Sequence, residues 1–184
     1  MTAAPGPEGP ETAAYDRLRR RVLWSMPTGL YVIGSRAELG GGTRRNLMTA
    51  NLVVQVATQP KLVAAAIDAE ALTRRLVEAG RSFSISLLAR EDRAVVRRFV
   101  KPVTETEVDA SGTTVSMAGE AIFDAPSGVP VLSRAVSWLD CEVREHLDLG
   151  SHILYVGEVV AAGGPDGEGP PVLRMEDTRM NYGG

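Results

Sequence analysis

The stretch VSWLDCEVREHL (136–147), the turn DLGS (148–151) and the stretch HILYVGEVVA (152–161) predict two long β-strands joined as a hairpin. Apolar and β-branched residues recur along both stretches, and the four residues between them include a glycine, which suits a tight turn. The sequence therefore indicates an antiparallel pair of strands as the centre of the fold.

Working outward from this hairpin, five further segments are predicted to be strands because apolar residues recur in them between turn signals. They are Gly29–Gly34, Asn46–Ala57, Leu62–Ile67, Ser82–Leu88 and Val172–Glu176. Asn46–Ala57 is expected to form one long strand or a strand with a bulge. Ser82–Leu88 alternates with period two, which indicates a half-buried strand. Residues 40–42 are expected to form a hairpin tip, and residues 101–128 a loop with a short strand.

Three helices are predicted on either side of these strands. The expected segments are Tyr15–Met26 with Leu18, Val22 and Met26 on one face, Ala69–Ala79 with Leu72, Leu76 and Val77 inward, and Arg90–Val100. Pro27 is expected to end the first helix and Gly80 the second.

The balance of strands and helices decides the fold class. A doubly wound parallel sheet needs a helix after nearly every strand, and six or seven strands with two interspersed helices do not provide that. The sequence predicts a mainly β (α+β) fold, an antiparallel β-barrel with flanking helices. Residues 1–14 lack large apolar side chains and are expected to form a flexible leader, with one domain over residues 15–184.

Composition narrows the possible functions of the 184 residues. The single cysteine, Cys141, excludes an internal disulfide framework and is expected to be an inert core thiol, while two histidines leave little for a metal centre. A net charge of −3 argues against a protein that coats nucleic acid. No stretch has the length of a membrane span or the pattern of a signal peptide, so we expect a cytoplasmic protein that contacts no membrane.

Catalytic motifs are missing from the sequence. It contains no nucleophile elbow, phosphate-binding P-loop or dinucleotide-binding glycine pattern. A protein so poor in acid–base groups either lacks activity or uses the chemistry of a cofactor. Two small polar or crowded stretches, Met48–Asn51 and Ala64–Ala66, interrupt otherwise larger strand residues and suggest close approach by another group.

Eight ordered segments resemble the flavin reductase-like family of FMN-binding split barrels. The segments are Met26–Ile33, Asn46–Asn51, Gln55–Pro60, Leu72–Gly80, Phe83–Leu88, Gly128–Leu132 with Trp138–Val143, and Gly150–Val159. Each segment alone is weakly specific, but their order and spacing cover nearly the whole folded part of the chain.

The resemblance implies a set of cofactor-binding residues for FMN, with FAD as a possible substitute. Thr49, Ala50 and Asn51 would line the ribityl and phosphate side, and Gln55, Val56 and Ala57 would meet the polar edge of the isoalloxazine ring. Ile67 would flank the flavin, and Thr73 would bind its phosphate. Ser86 would lie near the ring. No metal site is implied.

The resemblance also implies a catalytic role for His152, which would lie near the nicotinamide or the exposed flavin face. Without the resemblance, a histidine at the start of a strand is more often a turn residue. The family usually has Gly-Asp-His here, whereas this chain has Gly150, Ser151 and His152.

Two departures from the family pattern concern the phosphate. Asn51 and Leu52 stand where two serines are usual. The approach to the phosphate-binding helix, residues 68–72, contains Asp68 and Glu70, whose negative charge disfavours a phosphate. Either these carboxylates point away and an arginine pair neutralises the phosphate, or the flavin binds weakly and acts as a substrate. The candidate pairs are Arg44 with Arg45 and Arg74 with Arg75; each pair could equally be solvated surface.

The expected function is therefore that of an NAD(P)H-dependent flavin (FMN) reductase, with NADH or NADPH as the hydride donor. The resemblance further implies a homodimer with flavin near the interface and, as a secondary hypothesis, a partner monooxygenase that receives reduced flavin. The alternatives are an FMN-dependent reductase of another acceptor such as ferric iron, and a non-catalytic flavin- or haem-binding barrel.

Overall fold

A computed structural model of the chain describes residues 13–178 and 180. In this part it contains two α-helices and eleven β-strands. In chain order they are α1 (Ala13–Trp24), β1 (Tyr31–Glu38), β2 (Thr43–Ala50), β3 (Val53–Thr58), β4 (Lys61–Asp68), α2 (Leu72–Gly80), β5 (Ser82–Leu87), β6 (Thr106–Val108), β7 (Thr114–Met117), β8 (Glu120–Asp124), β9 (Pro130–Leu132), β10 (Ser137–Asp148) and β11 (His152–Gly163). The predicted leader lies outside the described residues except for its last two positions, which are the start of α1.

Seven strands form the main sheet in the order β2-β1-β5-β10-β11-β4-β3, with every neighbouring pair antiparallel. The predicted hairpin of β10 and β11 is confirmed and lies at the centre of this order. A flat sheet of seven strands would hold its two edge strands about 29 Å apart, since neighbouring strands are spaced by ~4.8 Å. Only Asn51 and Leu52 connect these two edge strands, β2 and β3.

This two-residue connection requires the sheet to curl. Two intervening residues span at most about 11 Å between Cα atoms, which is far less than the width of a flat sheet. The backbone N–H of Ala66 in β4 donates to the carbonyl of Leu52 over 2.9 Å, so the connection is held against the far edge. We call residues 51–52 the barrel seam. The single strand predicted over Asn46–Ala57 is therefore wrong, because the chain leaves one edge of the sheet and enters the other.

A second sheet of four strands, β6-β7-β8-β9, accounts for residues that were predicted to be mostly loop. Its strand β9 packs on β1 and β5. A Cβ atom at Gly34 would lie 1.8 Å from the carbonyl oxygen of Pro130, so only glycine permits this approach. A buried cluster that includes Val32, Leu132 and Phe99 fills the space between the two sheets.

Two other predicted elements differ in the structure. The segment Arg90–Val100 forms two short 3₁₀ turns, Arg90–Asp92 and Val95–Phe99, instead of an α-helix. The predicted strand Val172–Glu176 makes only isolated bridges from Val172 to Ala89 and from Arg174 to Gly29, followed by a 3₁₀ turn. In both segments tertiary packing overrides the local pattern, since Val95, Val96, Phe99 and Leu173 all insert into the cluster between the sheets.

Helix α2 begins three residues later than expected and buries Thr73, Leu76 and Val77. Gly80 is its last residue, and Arg81 takes the left-handed conformation with φ of 57°. The helix therefore ends at Gly80 as predicted, although the left-handed residue that follows is Arg81. Gly80 is needed for a different reason, because a Cβ atom there would lie 2.0 Å from the carbonyl oxygen of Arg36 in β1.

The serines of β5 face the interior of the protein. Ser82, Ser84 and Ser86 are all buried, so the prediction of a half-buried strand is wrong. Ser84 Oγ donates to the carbonyl of Pro130 over 2.6 Å, and Ser86 Oγ accepts from the backbone N–H of Leu132 over 3.1 Å. Successive side chains of β5 alternate between two buried environments. One set faces the barrel core, and the other faces β9.

The barrel core is formed by a cluster that includes Ile33, Ile67, Phe83, Cys141 and Tyr155. Cys141 is fully buried, in agreement with an inert core thiol. Burial, assisted by the adjacent Asp140 carboxylate, raises the pKa of Cys141 from 9.0 to about 12. Within the described part of the chain, no helix has the length and hydrophobicity needed to cross a membrane.

Candidate functional site

His152 begins β11 at the end of the barrel where β4 leads into α2. Its cross-strand partner is Asp68, the last residue of β4. The backbone N–H of Ala69 donates to the carbonyl of Ser151 over 3.0 Å and fixes the turn before His152 to the β4–α2 connection. Ser151 Oγ lies 3.0 Å from His152 Nδ1, within hydrogen-bond distance. His152 is partly exposed.

The barrel seam lies beside this end of β4. Asn51 is buried, and its side-chain amide makes no hydrogen bond to any residue that the structure describes. The neighbouring Ala50 pairs with Tyr31 at the start of β1. The Asn51 amide itself is not enclosed, because the buried side-chain atoms without a partner among the described residues are Arg36 Nε and Arg74 Nε. Asn51 therefore offers an accessible donor and an accessible acceptor to a bound molecule.

The predicted flavin-edge residues lie further along β3, the exposed edge strand. Gln55 pairs with Val63 and Ala57 with Leu62, so Val56 is an extra, bulged residue. Gln55 and Val56 are exposed, and Gln55 Nε2 donates to the carbonyl of Ala57 over 3.1 Å. At ~3.3 Å per residue, Gln55 lies about 13 Å from Asn51 along the strand, a span that a flavin nucleotide can cover. Bulges often occur beside binding sites, where they redirect side chains.

The start of α2 provides a positive end without a capping side chain. Its N-cap residue, Ala71, makes no side-chain hydrogen bond, and no acidic residue lies in the first turn. Asp68 Oδ1 instead accepts from the backbone N–H of Glu70 over 2.8 Å, so this carboxylate is turned back on its own chain. Free N–H groups at a helix N-terminus attract anions, and Arg74 and Arg75 lie in the same turn.

Several predicted site residues are buried and bonded within the protein. Thr49 Oγ1 donates to the carbonyl of Val96 over 2.6 Å, and Thr73 Oγ1 accepts from Asn46 Nδ2 over 2.8 Å. Ile67 and Ser86 are also fully buried, and Ser86 faces β9. The structure therefore brings Asn51, the β3 residues and His152 to accessible positions along one side of the barrel and places the other predicted residues behind them.

Sequence reasoning missed three residues around this site. Ser151 contacts His152, Tyr31 pairs with Ala50, and Asn46 links β2 to α2. Burial raises the pKa of Tyr31, whose ring lies against Gly29. The glycine two residues before Tyr31 was the one available signal, since a Cβ at position 29 would overlap the tyrosine ring.

Tyr155 in the barrel core is linked to the first turn of α2. It is buried, and its hydroxyl donates to the carbonyl of Arg74 over 3.4 Å. Burial raises the pKa of Tyr155, with a further contribution from the Glu78 carboxylate, while Arg74 and Arg81 oppose the shift. The described residues contain no group of three or more His, Cys, Asp or Glu side chains that could hold a metal ion.

Similarity to known proteins identifies the family of this chain. The sequence profile of the flavin reductase like domain matches residues 23–183. The chain belongs to the flavin reductase-like family. The resemblance predicted from the sequence is confirmed, and the profile covers both the barrel seam and the turn before His152.

Individual members of the flavin reductase-like family agree with this assignment. The NADH-dependent FAD reductase of Streptomyces globisporus is 30% identical over 148 residues, which are 80% of this chain and 76% of the reductase. Among solved structures, the NADH:FAD oxidoreductase SgcE6 of Streptomyces globisporus C-1027 matches with a TM-score of 0.66, 26% identity and coverage of 90% and 92% of the two chains. The styrene monooxygenase flavin reductase of Pseudomonas putida S12 matches with a TM-score of 0.65, 25% identity and coverage of 85% and 90%. These matches confirm the split-barrel fold.

Proposed function

We propose that this member of the flavin reductase-like family reduces a flavin with NADH or NADPH, and that FMN is the preferred flavin. The observation that carries the proposal is the unpartnered Asn51 amide beside the accessible His152 and the uncapped start of α2. The NADH-dependent reductases that the chain resembles support the same reaction.

The residues present fit a phosphorylated flavin. The α2 N-terminus would hold the phosphate, because it lacks a capping side chain and Asp68 is bonded to its own backbone. Asn51 would bond the ribityl chain, and the bulge at Val56 would expose backbone groups of β3 to the ring. When bound, the flavin supplies the hydride acceptor, and the protein supplies position and exclusion of water.

His152 is the residue that we assign to the reacting end. The Ser151 hydroxyl bonds Nδ1 and fixes the plane of the imidazole, which leaves Nε2 to bind the nicotinamide or to hold a proton near the flavin. The buried residues of the predicted site act through those they support. Thr73 and Thr49 hold β2 in place, Ile67 packs behind the β4 end, and Ser86 orients β9.

The direct test is anaerobic reduction of FMN by NADH or NADPH in the presence of the purified protein. We expect bleaching of the flavin absorbance, faster with FMN than with FAD. If neither nucleotide reduces either flavin at any flavin concentration, the proposed function is wrong and a non-catalytic binding protein remains. Flavin released on heating and identified by mass gives the cofactor independently of turnover.

Two histidines on the same hairpin, the partly exposed His152 and the exposed His146, provide a matched pair of variants. His152→Ala should slow single-turnover hydride transfer while it leaves FMN affinity unchanged. His146→Ala is the control, since His146 contacts Tyr155 on the other strand and has no place in the proposed site. Equal rates for the two variants would return His152 to the role of a turn residue.

The phosphate assignment has its own test. Arg75→Gln should weaken binding of FMN but not of riboflavin, which lacks the phosphate. Arg44→Gln tests the alternative pair on β2, and we expect it to leave both affinities unchanged. If Arg44→Gln weakens binding of FMN and Arg75→Gln does not, the phosphate lies near β2.

The wider setting is also part of this proposal. We propose a cytoplasmic homodimer with the flavin close to the subunit interface and a partner monooxygenase that consumes the reduced flavin. A styrene monooxygenase flavin reductase among the similar structures supports the last point. Coupled turnover with a flavin-dependent monooxygenase, compared with the same reaction plus catalase and excess free flavin, measures such transfer.

A further inference from the structure

Helix α1 presents an apolar stripe to solvent. Leu18 and Val22 lie one turn apart and are 43% and 57% exposed, and Met26 continues the same side just beyond the helix. A helix of twelve residues is marginally stable in water by itself, and most helical stability in proteins comes from packing of an amphipathic face. The exposed stripe therefore points to a covering surface that the single chain does not supply.

Charge distinguishes α1 from the rest of the molecule. The helix has four arginines and one aspartate, a net charge of +3, so the remainder of the chain carries −6. Asp16 pairs with Arg19 and Arg20 within the helix. Arg17 and Arg21 flank the Leu18–Val22 stripe, and neither forms an ion pair with any residue in the described ranges. A partner for α1 should be apolar at its centre and acidic at its rim.

The main sheet has a surface of this kind. Cross-strand register places Leu147 opposite Leu154, Glu145 opposite Val156, Val156 opposite Ala64, and Ala64 opposite Val54. Residues paired in this way share one face, and the alternate residues, such as Tyr155 and Ala65, pack into the barrel core. We call the side formed by Val54, Ala64, Leu147, Leu154 and Val156 the outer sheet face.

The outer sheet face is apolar, and its open residues flank Ala64, which is 3% exposed. Val54 is 61% exposed and Leu147 56% exposed, while Leu154 and Val156 are partly exposed. The solvent side of an antiparallel sheet is ordinarily polar, so an apolar centre indicates contact with another surface. Helix α2 packs against β1 and β2 instead and does not cover it.

Acidic residues border the outer sheet face along the hairpin. Glu142 and Glu158 are cross-strand partners on this face, and Glu145 lies next to them. Arg144 pairs with Glu158 over 2.9 Å and more loosely with Glu142 over 3.5 Å. Glu145 has no ion pair with any other residue that the structure describes, so the rim remains negative.

We propose that α1 of one copy of this chain packs on the outer sheet face of a second copy, and that the exchange is reciprocal. Leu18 and Val22 would cover the apolar centre, and Arg17 and Arg21 would meet Glu142 and Glu145. Direct packing of two outer sheet faces is disfavoured, because it would bring two acidic rims together. The inference rests on the proposed homodimer, but not on the proposed reaction.

Charge reversal tests this arrangement by sedimentation velocity of the full chain. A helix variant, Arg17→Glu with Arg21→Glu, and a sheet variant, Glu142→Arg with Glu145→Arg, should each raise the dimer dissociation constant by about 100-fold. Mixing the two variants should restore a heterodimer close to wild-type affinity, because both helix–sheet contacts in the mixture then join opposite charges. A mixture that stays monomeric overturns the inference, as does a monomeric wild type.

The apolar centre has a matched pair of variants. Val22→Glu should weaken the dimer, whereas Val108→Glu, at a residue 60% exposed on β6 of the second sheet, should not. Circular dichroism of both variants checks that they fold. An unchanged dimer in Val22→Glu overturns the inference. Flavin reduction is measured on the same samples. A wild-type monomer that reduces flavin contradicts only the helix exchange. A wild-type dimer that fails to reduce flavin contradicts only the proposed function.

Discussion

Asn46 Nδ2 donates a hydrogen bond to Thr73 Oγ1 over 2.8 Å, with both side chains buried. Asn46 Oδ1 accepts from the backbone N–H of Val103 over 2.9 Å. One side chain thus joins β2, the first turn of α2 and the segment that leads into the second sheet. The start of α2 is held from inside, which leaves its N–H groups free to face outward.

Asn46→Ala should lower the free energy of unfolding by about 2–3 kcal/mol, because the buried Thr73 hydroxyl and the partly buried Val103 N–H lose their hydrogen-bond partner. Urea denaturation measures the change. Asn51→Ala is the control, since the Asn51 amide has no hydrogen bond within the described part of the chain. The loss in the free energy of unfolding should be smaller for Asn51→Ala than for Asn46→Ala by at least ~1 kcal/mol. Asn51→Ala should also weaken flavin binding. The reverse order of stabilities would contradict the assignment of the two amides.

Gly80→Ala should destabilise the protein by about 3 kcal/mol, because the new Cβ atom would overlap the carbonyl oxygen of Arg36 and separate α2 from β1. Gly42→Ala has open space around it at the β1–β2 hairpin tip and should stay within about 0.5 kcal/mol of the wild type. Thermal unfolding of both variants checks the difference. Equal stabilities would mean that α2 can shift away from β1 without loss of packing.

Ser86→Ala should lower stability by about 1–2 kcal/mol, because the backbone N–H of Leu132 loses its acceptor in a buried setting. The FMN affinity of the folded variant should stay within about twofold of the wild type, since Ser86 supports β9 from within the protein. Fluorescence titration of FMN measures it. A large loss of affinity without a loss of stability would place Ser86 against the flavin.

Cys141 should resist thiol reagents in the folded protein. With a pKa of about 12, about one thiol in 10⁴ is ionised at pH 8, and the side chain is fully buried. The raised pKa stabilises the fold below pH 9, and this contribution is lost as the pH rises toward 12. Absorbance from a chromogenic disulfide should appear only after unfolding in guanidinium. Rapid labelling of native protein would show that the core around β10 opens.

Strand pairing and the family resemblance were predictable from sequence, whereas two features of the chain's path were not. Periodicity identifies β10 and β11, but nothing in Asn46–Ala57 shows that the chain crosses between sheet edges at Asn51 and Leu52. The second sheet was missed because its strands are only three to five residues long, and Thr106–Val108 lies fully on the surface. These features depend on contacts between distant segments, which local patterns do not encode.

Of the candidate site residues, the sequence indicated some that the structure leaves accessible and some that it buries. His152 and Asn51 lie at accessible or unpartnered positions, as a binding role requires. Thr49 and Thr73 were chosen as polar residues that contact the ligand, yet their hydroxyl groups bond Val96 and Asn46 instead. Sequence shows which residues carry hydroxyl groups, but the partner of each hydroxyl depends on tertiary packing.

The barrel seam also determines when the site can exist during folding. Hairpins such as β1–β2 and β3–β4 form from neighbouring residues, but the barrel closes only when β5, β10 and β11, which come later in the chain, pair between β1 and β4. Such non-local closure is slow and comes late, because loop entropy must be lost before these contacts form. A refolding experiment in the presence of FMN should therefore show backbone structure before flavin binding. Flavin binding would then report the last step of assembly, because a chain that is only partly folded would not bind the flavin.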